Sequence, residues 1–367
     1  MHIQMTAGHL RAALSSFGRI VERRCTVPIL TGVKFSGNRL VGTNIDIEAS
    51  CTIPTIGQPK GEAVVDYFAL SSLAAHIDGA EEVTLSEEKG LATFTFNGSE
   101  YRMPSFPAND FPDFGTVKGV RAETGNLGFV AAMRRIRFAI STEEIRYYLN
   151  GAAIVNGRDG RPMLVATDGH RLAMMPIDGV PADWFGAIIP IGAVNHLVMR
   201  GHEPISIAID LEQRRARFYL PGHQMSAKLI DGAYPEVNRV IPVDARPVFA
   251  VDRAGLLRVL RRLRSFSEGW REGVKLIGTS EGLRLEIAQS ERSAVEHISW
   301  GGACFCRAVR GRIQCPLSDL SSISPDRRNG YIRDRAPRSL QRLAYRHHVG
   351  KRPSSHRPDA DARVRRS

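Results

Sequence analysis

One pattern passes three times along this chain, so whatever it folds into must place three similar units in series. "AGHLRAALSSFGRIV" sets Leu10, Leu14, Phe17 and Val21 at helical spacing, which makes one helix face apolar. "NLGFVAAMRRIRFAI" repeats the stripe with Phe129, Met133, Ile136 and Ile140, and "AGLLRVLRRLRSFS" with Leu256, Leu260 and Leu263. Each stripe leads into strand, turn, strand: "GVKFSGNRLVGTNIDIEAS", "GAAIVNGRDGRPMLVATDGHRLAM" and "GVKLIGTSEGLRLEIAQSE". The first two units continue into alternating pairs. In "VTLSEEKGLATFTFNG" the inward set is Val83, Leu85, Ala92, Phe94 and Phe96; in "ISIAIDLEQRRARFYLPG" it is Ile205, Ile207, Ile209, Ala216, Phe218 and Leu220. Such alternation gives a sheet one buried and one solvated face. The two units close on proline-bearing turns, "NDFPDFG" and "GAYPEVNRVIP". The fold class is therefore α+β, in three tandem copies, the third interrupted near Trp300 where its last hairpins are due.

Charge breaks at the same place. Residues 301–367 hold 16 Lys+Arg against 5 Asp+Glu, which leaves residues 1–300 nearly balanced at 34 against 33. The net charge of +12 thus belongs almost wholly to the tail, as do three of the five cysteines. Cys25 and Cys51 are isolated and offer neither a disulfide framework nor a zinc pattern. No apolar run nears the ~20 residues of a membrane span, so no membrane role is expected and the cytoplasm is the expected compartment. No P-loop, GxSxG, HExxH or nuclease-type carboxylate cluster is present, and neither catalytic chemistry nor a cofactor is expected. Cys304 and Cys306 with His347, His348 and His356 match no standard zinc spacing.

At "VPILTGVKF", "STEEIRYYLNG", "ATDGHRLAM" and "AKLIDGAYPEVNRVIP", in that order, the chain resembles the bacterial DNA polymerase III beta subunit, the sliding clamp, up to about residue 295. The resemblance implies three clamp domains: 1–119, 120–243 and a partial one at 244–300, followed by the Arg-rich tail 301–367. It implies helices lining a central hole with antiparallel sheets outside, and a ring of two chains around duplex DNA. It also implies a processivity factor and accessory subunit of a DNA-directed DNA polymerase, with no catalytic site of its own. The implied partners are double-stranded DNA, the replicative polymerase catalytic subunit, the clamp loader, repair proteins with a clamp-binding motif, and a second copy of the chain. A ring that slides must avoid base-specific contacts, and each firm phosphate contact adds salt-dependent drag.

The DNA-binding residues that the resemblance carries over are Arg23 and Arg24 before "PIL" and the pair Tyr147 and Tyr148. For the tyrosines, one ring in the core and one at the rim is the alternative. Glu143 stands where some family members have a neutral polar contact, which weakens attraction to DNA locally. On a helical wheel Arg134 and Arg135 point away from the apolar stripe of the second helix, and Arg258, Arg261 and Arg262 from that of the third. An ordinary solvated face explains any one of them; the recurrence points to a lining. The implied peptide pocket comprises Leu149, Thr167, Gly169, His170, Arg171, Leu172 and Pro242. Asp168 and His170 have no second ligand cluster, so a pocket-shaping turn is expected there rather than a metal site.

Family members close the third domain with a helix entry resembling G-F-N-x-x-Y-L and end in M-P-M-R-V, and neither stands here in frame. Both are encodable one nucleotide on: Arg312-Ile313-Gln314-Cys315 can hide Gly-Phe-Asn-Ala, and Asp359 to Val364 can hide Met-Pro-Met-Arg-Val. The tail then reads as out-of-frame text after a single frameshift between about Glu296 and Arg312. On that reading the third domain lacks its closing hairpins, and the chain is expected to be monomeric or aggregation-prone. The rivals are a divergent clamp paralogue whose tail is a DNA-binding arm, a regulatory DNA-binding protein built on clamp domains, and an enzyme using Asp168 and His170. Sequencing the gene across the codons near Trp300 is expected to show nucleotides that encode both family motifs in the shifted frame, and nucleotides that cannot do so refute the frameshift.

Overall fold

The computed structural model describes residues 1–123, 128–242, 251–267, 273–279, 281–288, 292–299 and the backbone of 310–313. The remainder of the basic tail, with its expected disorder, lies outside the described residues. The chain divides into two compact units, one holding Met1–Val243 and the other beginning at Asp244.

The first copy runs β1 (His2–Thr6), α1 (Ala7–Leu14), β2 (Gly32–Ser36), β3 (Arg39–Thr43), β4 (Ile47–Thr52), β5 (Glu62–Asp66), α2 (Tyr67–Ala75), β6 (Glu82–Glu88), β7 (Leu91–Phe96) and β8 (Ser99–Phe106). The second runs β9 (Val120–Glu123), α3 (Phe129–Ile136), β10 (Gly151–Asn156), β11 (Pro162–Thr167), β12 (Leu172–Pro176), β13 (Ile188–Pro190), α4 (Ile191–Arg200), β14 (Ser206–Asp210), β15 (Arg215–Leu220) and β16 (His223–Lys228). The second unit holds α5 (Arg253–Phe266), β17 (Val274–Gly278), β18 (Gly282–Ala288), β19 (Ser293–Ser299) and β20 (Arg310–Ile313). Each copy thus begins as the sequence repeat predicts. β20 pairs with β17 as β5 pairs with β2 and β13 with β10, so one strand of the third copy lies beyond the charge break.

All pairings are antiparallel. A twelve-stranded sheet runs β1-β6-β7-β8-β5-β2-β3-β4-β16-β15-β14-β9, so β4 of the first copy and β16 of the second join the two into one sheet. The register His223↔Cys51 and Met225↔Ala49 turns these side chains to the same face, where they are buried in a core shared by both copies. β12-β11-β10-β13 and β19-β18-β17-β20 form two further sheets. A separate core of Val259, Leu260, Leu263, Val274, Leu283, Leu285 and Ile287 packs α5 on the last of them.

Local chemistry sets the element ends. Thr6 caps α1 by accepting from His9 N–H, Asp66 caps α2 through Ala69 N–H, and Asp252 caps α5 through Gly255 N–H. The Glu203 carboxylate accepts from Val130 and Ala131 N–H at the start of α3, where Gly128 supplies no cap of its own. Three expectations change. The first stripe is not one helix: α1 ends at Leu14, where Ser15 Oγ donates to Ala12 O, although Phe17 and Val21 are still buried beyond it. Ile205 is 58% exposed because β14 begins one residue later. β14 also buries Ser206 and Ala208 on its other face; Arg121 donates to Ser206 Oγ there and lies 4.3 Å over the Tyr219 ring.

Candidate functional site

The "ATDGHRL" segment is the hairpin turn between β11 and β12, and its polar groups hold it in one shape. Asp168 Oδ1 accepts from His170 and Arg171 N–H, each at 2.9 Å, and Oδ2 pairs with Arg171 Nε at 2.9 Å. Thr167 Oγ1 donates to Arg171 O and accepts from Gly169 N–H. Both oxygens of Asp168 are therefore engaged in holding the turn in shape. Gly169 has φ +85°, a conformation that favours glycine, and the Arg146 guanidinium fills the space where a Cβ would stand.

The turn sits on an apolar floor. Val165, Leu172 and Val237 are buried together, with Val155, Met163, Met174 and Tyr234 packed against them. Among the pocket residues carried over from the sequence, Leu149, Thr167 and Leu172 are buried, Arg171 is half-buried, and Gly169, His170 and Pro242 are exposed. The Arg171 guanidinium lies 5.5 Å over the Phe138 ring. The Arg146 guanidinium, held by Glu143 at 2.7 Å, raises the rim over Gly169. That contact with Glu143 pushes the Arg146 pKa up, so its charge is fixed. Arg146, Tyr234 and Val237 were not singled out from the sequence; the outward alternation of Val155, Met163, Val165 and Met174 along three strands was the available signal.

Tyr147 and Tyr148 do not start a strand. They form a single 3₁₀ turn with Leu149, edge to face at 5.9 Å; Tyr147 is 53% exposed and Tyr148 half-buried against Gly232. The pair therefore adjoins the hairpin turn through the neighbouring Arg146. Arg23 and Arg24 are exposed in the first copy, with Arg23 stacked 4.7 Å over Phe68. Arg134 and Arg135 are exposed on α3 opposite buried Phe129, Met133 and Ile136, and Arg258 and Arg261 are exposed on α5. Arg262 is committed elsewhere. Its Nε and Nη2 each lie 2.7 Å from the carboxylate of Glu296 on β19, a pairing that holds the Glu296 carboxyl below its ordinary range.

Known proteins match this architecture. The family profile for the DNA polymerase III beta subunit, N-terminal domain, matches residues 1–115, and that for its central domain matches residues 126–236. The beta sliding clamp of Caulobacter vibrioides is 31% identical over 325 residues, covering 81% of this chain and 84% of that protein. The chain belongs to the beta sliding clamp family. The beta sliding clamp of Pseudomonas aeruginosa is 28% identical over 313 residues, covering 81% of this chain and 83% of that protein. Among solved structures, the sliding clamp of Bartonella birtlesii bound to griselimycin superposes with a TM-score of 0.77 at 26% identity, covering 89% of this chain and 91% of that one. The fold is thus the sliding-clamp fold, and the family reading is favoured over a DNA-binding protein that works through its arm. No helix among the described residues is long and apolar enough to cross a membrane.

The turn geometry gives a direct expectation. Asp168→Ala removes the acceptor for two backbone N–H groups and the Arg171 partner, so amide exchange at His170 and Arg171 is expected to quicken by about tenfold or more, the equivalent of one hydrogen bond. Asp168→Asn keeps the Oδ1 acceptor and is expected to retain most of the protection.

Proposed function

We propose that this clamp encircles duplex DNA in the cytoplasm and holds a replicative polymerase, the clamp loader and repair proteins there in turn. Short peptide segments of those partners dock at the 167–172 hairpin turn. The observation that carries the docking reading is the exposed Gly169–His170 tip, fixed by Asp168 and Arg146 and set beside an apolar floor. Such a site offers anchorage for apolar side chains with a polar rim to orient them. Leu149, Thr167, Arg171, Leu172 and Pro242 complete it. The domains of this reading are 1–119, 120–243 and a partial one at 244–300, to which β20 adds a strand, and the rest of the tail 301–367 is out-of-frame text.

DNA faces Arg134 and Arg135 on α3 and Arg258 and Arg261 on α5, with Arg23, Arg24, Tyr147 and Tyr148 contacting the backbone from loops. Arg262 leaves this set, because Glu296 neutralises it. Holding by encirclement is tested by loading the protein onto nicked circular DNA with a clamp loader. Retention on the circle and release on linearisation are expected, and equal retention on both forms sinks the reading. Arg134→Ala with Arg135→Ala is expected to lower the slope of log affinity against log salt by about 1.8, the share of two phosphate contacts.

The seam between the first two copies also indicates how a second chain attaches. β8 occupies in the first copy the place of β16 in the second: Phe96↔Ser99 matches Leu220↔His223. β19 occupies in the third copy the place of β4 in the first: Leu285↔Glu296 matches Leu40↔Cys51. Met225 on β16 is 0% exposed because β4 lies beside it, whereas its equivalent Tyr101 on β8 is 41% exposed. β5 takes only Ser105 and Phe106 of β8, so a second copy's β19 fits along the open side of 99–103, with Tyr101 opposite Ala294. This edge precedes residue 300, so the expected loss of dimerisation with the tail does not follow. Sedimentation is expected to give a dimer, weakened tenfold or more by Tyr101→Arg in line with the loss of a buried aromatic anchor; a monomer at micromolar concentration counts against it.

A further inference from the structure

The joint between the first two copies encloses a pair of histidines that the clamp reading does not use. His196 on α4 and His223 on β16 are 1% and 4% exposed, and their rings stack at 5.3 Å with 23° between planes. Their Nε2 atoms lie 3.1 Å apart, so one imidazole donates Nε2–H to the lone pair of the other. Neither Nδ1 has a partner among the described residues. Across the ladder from His223 stands Cys51 of β4, whose thiol donates to Ala13 O and is pushed up to about 11 by burial. The charged group that acts on both rings is Arg200, one turn along α4. No carboxylate is among the groups that act on either imidazole.

We propose that this pair is a proton-sensitive joint: it closes the β4–β16 seam while both rings are neutral and opens it when either takes up a proton. A first proton can enter at the bare Nδ1 of the donating ring and leave the bond between the rings in place, but the cation so formed is buried beside Arg200, and no carboxylate among the described residues acts on it. A second proton replaces the remaining bare Nε2 with an N–H facing the first and breaks the bond. Burial, followed by the Arg200 charge, lowers His196 to about 4, and burial, His196 and Arg200 lower His223 to about 3. As the pH falls below the ordinary histidine value of 6.5, the opened chain therefore binds protons that the closed one refuses. The seam is at full strength above about 6.5 and weakens progressively on the way down to about 4 and about 3.

Hydrogen exchange on the full chain, corrected for the intrinsic pH dependence of exchange, tests this between pH 7.5 and pH 4.5. With two protons taken up on opening, the opening equilibrium at β4 and β16 is expected to rise by up to about 100-fold per pH unit once below the ordinary histidine range. The outer ladder β6-β7-β8 serves as the internal control and is expected to change much less. His196→Leu with His223→Phe is expected to abolish the difference between seam and control. Parallel loss of protection in both ladders of the unaltered protein, or the same difference in the double variant, overturns the proposal. If the double variant does not fold, imidazole resonances of the unaltered protein decide: both rings neutral at pH 5 supports the joint, and titration near 6.5 refutes it.

Discussion

The β4–β16 ladder is the constraint on which the first 243 residues depend. Without it the two copies are separate sheets with open edges; with it they share a twelve-stranded sheet and one core. The connecting segment is fixed by the opposite face of the same joint. Glu48 on β4 accepts from Phe114 N–H, while Arg215 and Arg217 on β15 donate to Phe114 O and Gly115 O. Burial pushes the Glu48 carboxyl up even though Phe114, Arg217 and Arg39 pull it down, so this carboxylate is held at a desolvation cost that its partners offset only in part. The segment between the copies is thereby tied to the sheet rather than left as a free linker.

An unpaired edge is a hazard in any β protein, and repetition multiplies it. The first two copies each offer one edge of the β4 kind and one of the β16 kind, and the third offers β19 among the described residues. The first seam joins β4 to β16, which leaves β8 and β19 as one of each kind still open. The proposed pairing with a second chain would consume both without any new recognition chemistry, since the register is the one the first seam already uses. The polar groups at that position still differ: Ser16 and Cys51 in the first copy become Arg262 and Glu296 in the third, and His223 becomes Ser99. An intrachain joint and an interchain joint of the same geometry can therefore respond differently to pH and salt.

Much of this was legible in the sequence because it follows from periodicity. The apolar stripes, the hairpins after them and the "ATDGHRL" turn are all encoded within a few consecutive residues. What escaped depends on contacts distant in the chain. α2 and α4 were not singled out: "YFALSSLAA" is apolar nearly all round, and α4 buries His196 as well as Ala193, Val194, Leu197 and Val198, so neither shows a plain two-faced pattern. Arg262 looked like a surface charge on the wheel, and only β19, over thirty residues on, reveals its partner. Arg146 gains its place at the rim through Gly169, which no local pattern connects to it. α1 is shorter than its stripe for the opposite reason, since Phe17 and Val21 keep the helical spacing and the burial after the helix has stopped.

The same distinction governs the arginines, which are the residues a clamp most needs to ration. In the described residues Arg11 donates to Ala74 O and Ile77 O, Arg121 to Ser206, Arg217 to Ser226 and Gly115 O, and Arg262 pairs with Glu296. These cations hold helix ends, sheet faces and the connecting segment, and their charge is directed into the protein. Arg134, Arg135, Arg258 and Arg261 instead stand exposed on helices whose other face is the core. A near-neutral folded part with a few outward arginines suits a ring that must stay on DNA by topology and still move. A tail of 16 Lys+Arg against 5 Asp+Glu, if it gripped phosphates, would oppose that movement with a steep salt dependence. The charge that dominates the composition is therefore the part least suited to the clamp's work, which is what text outside the selected reading frame would be.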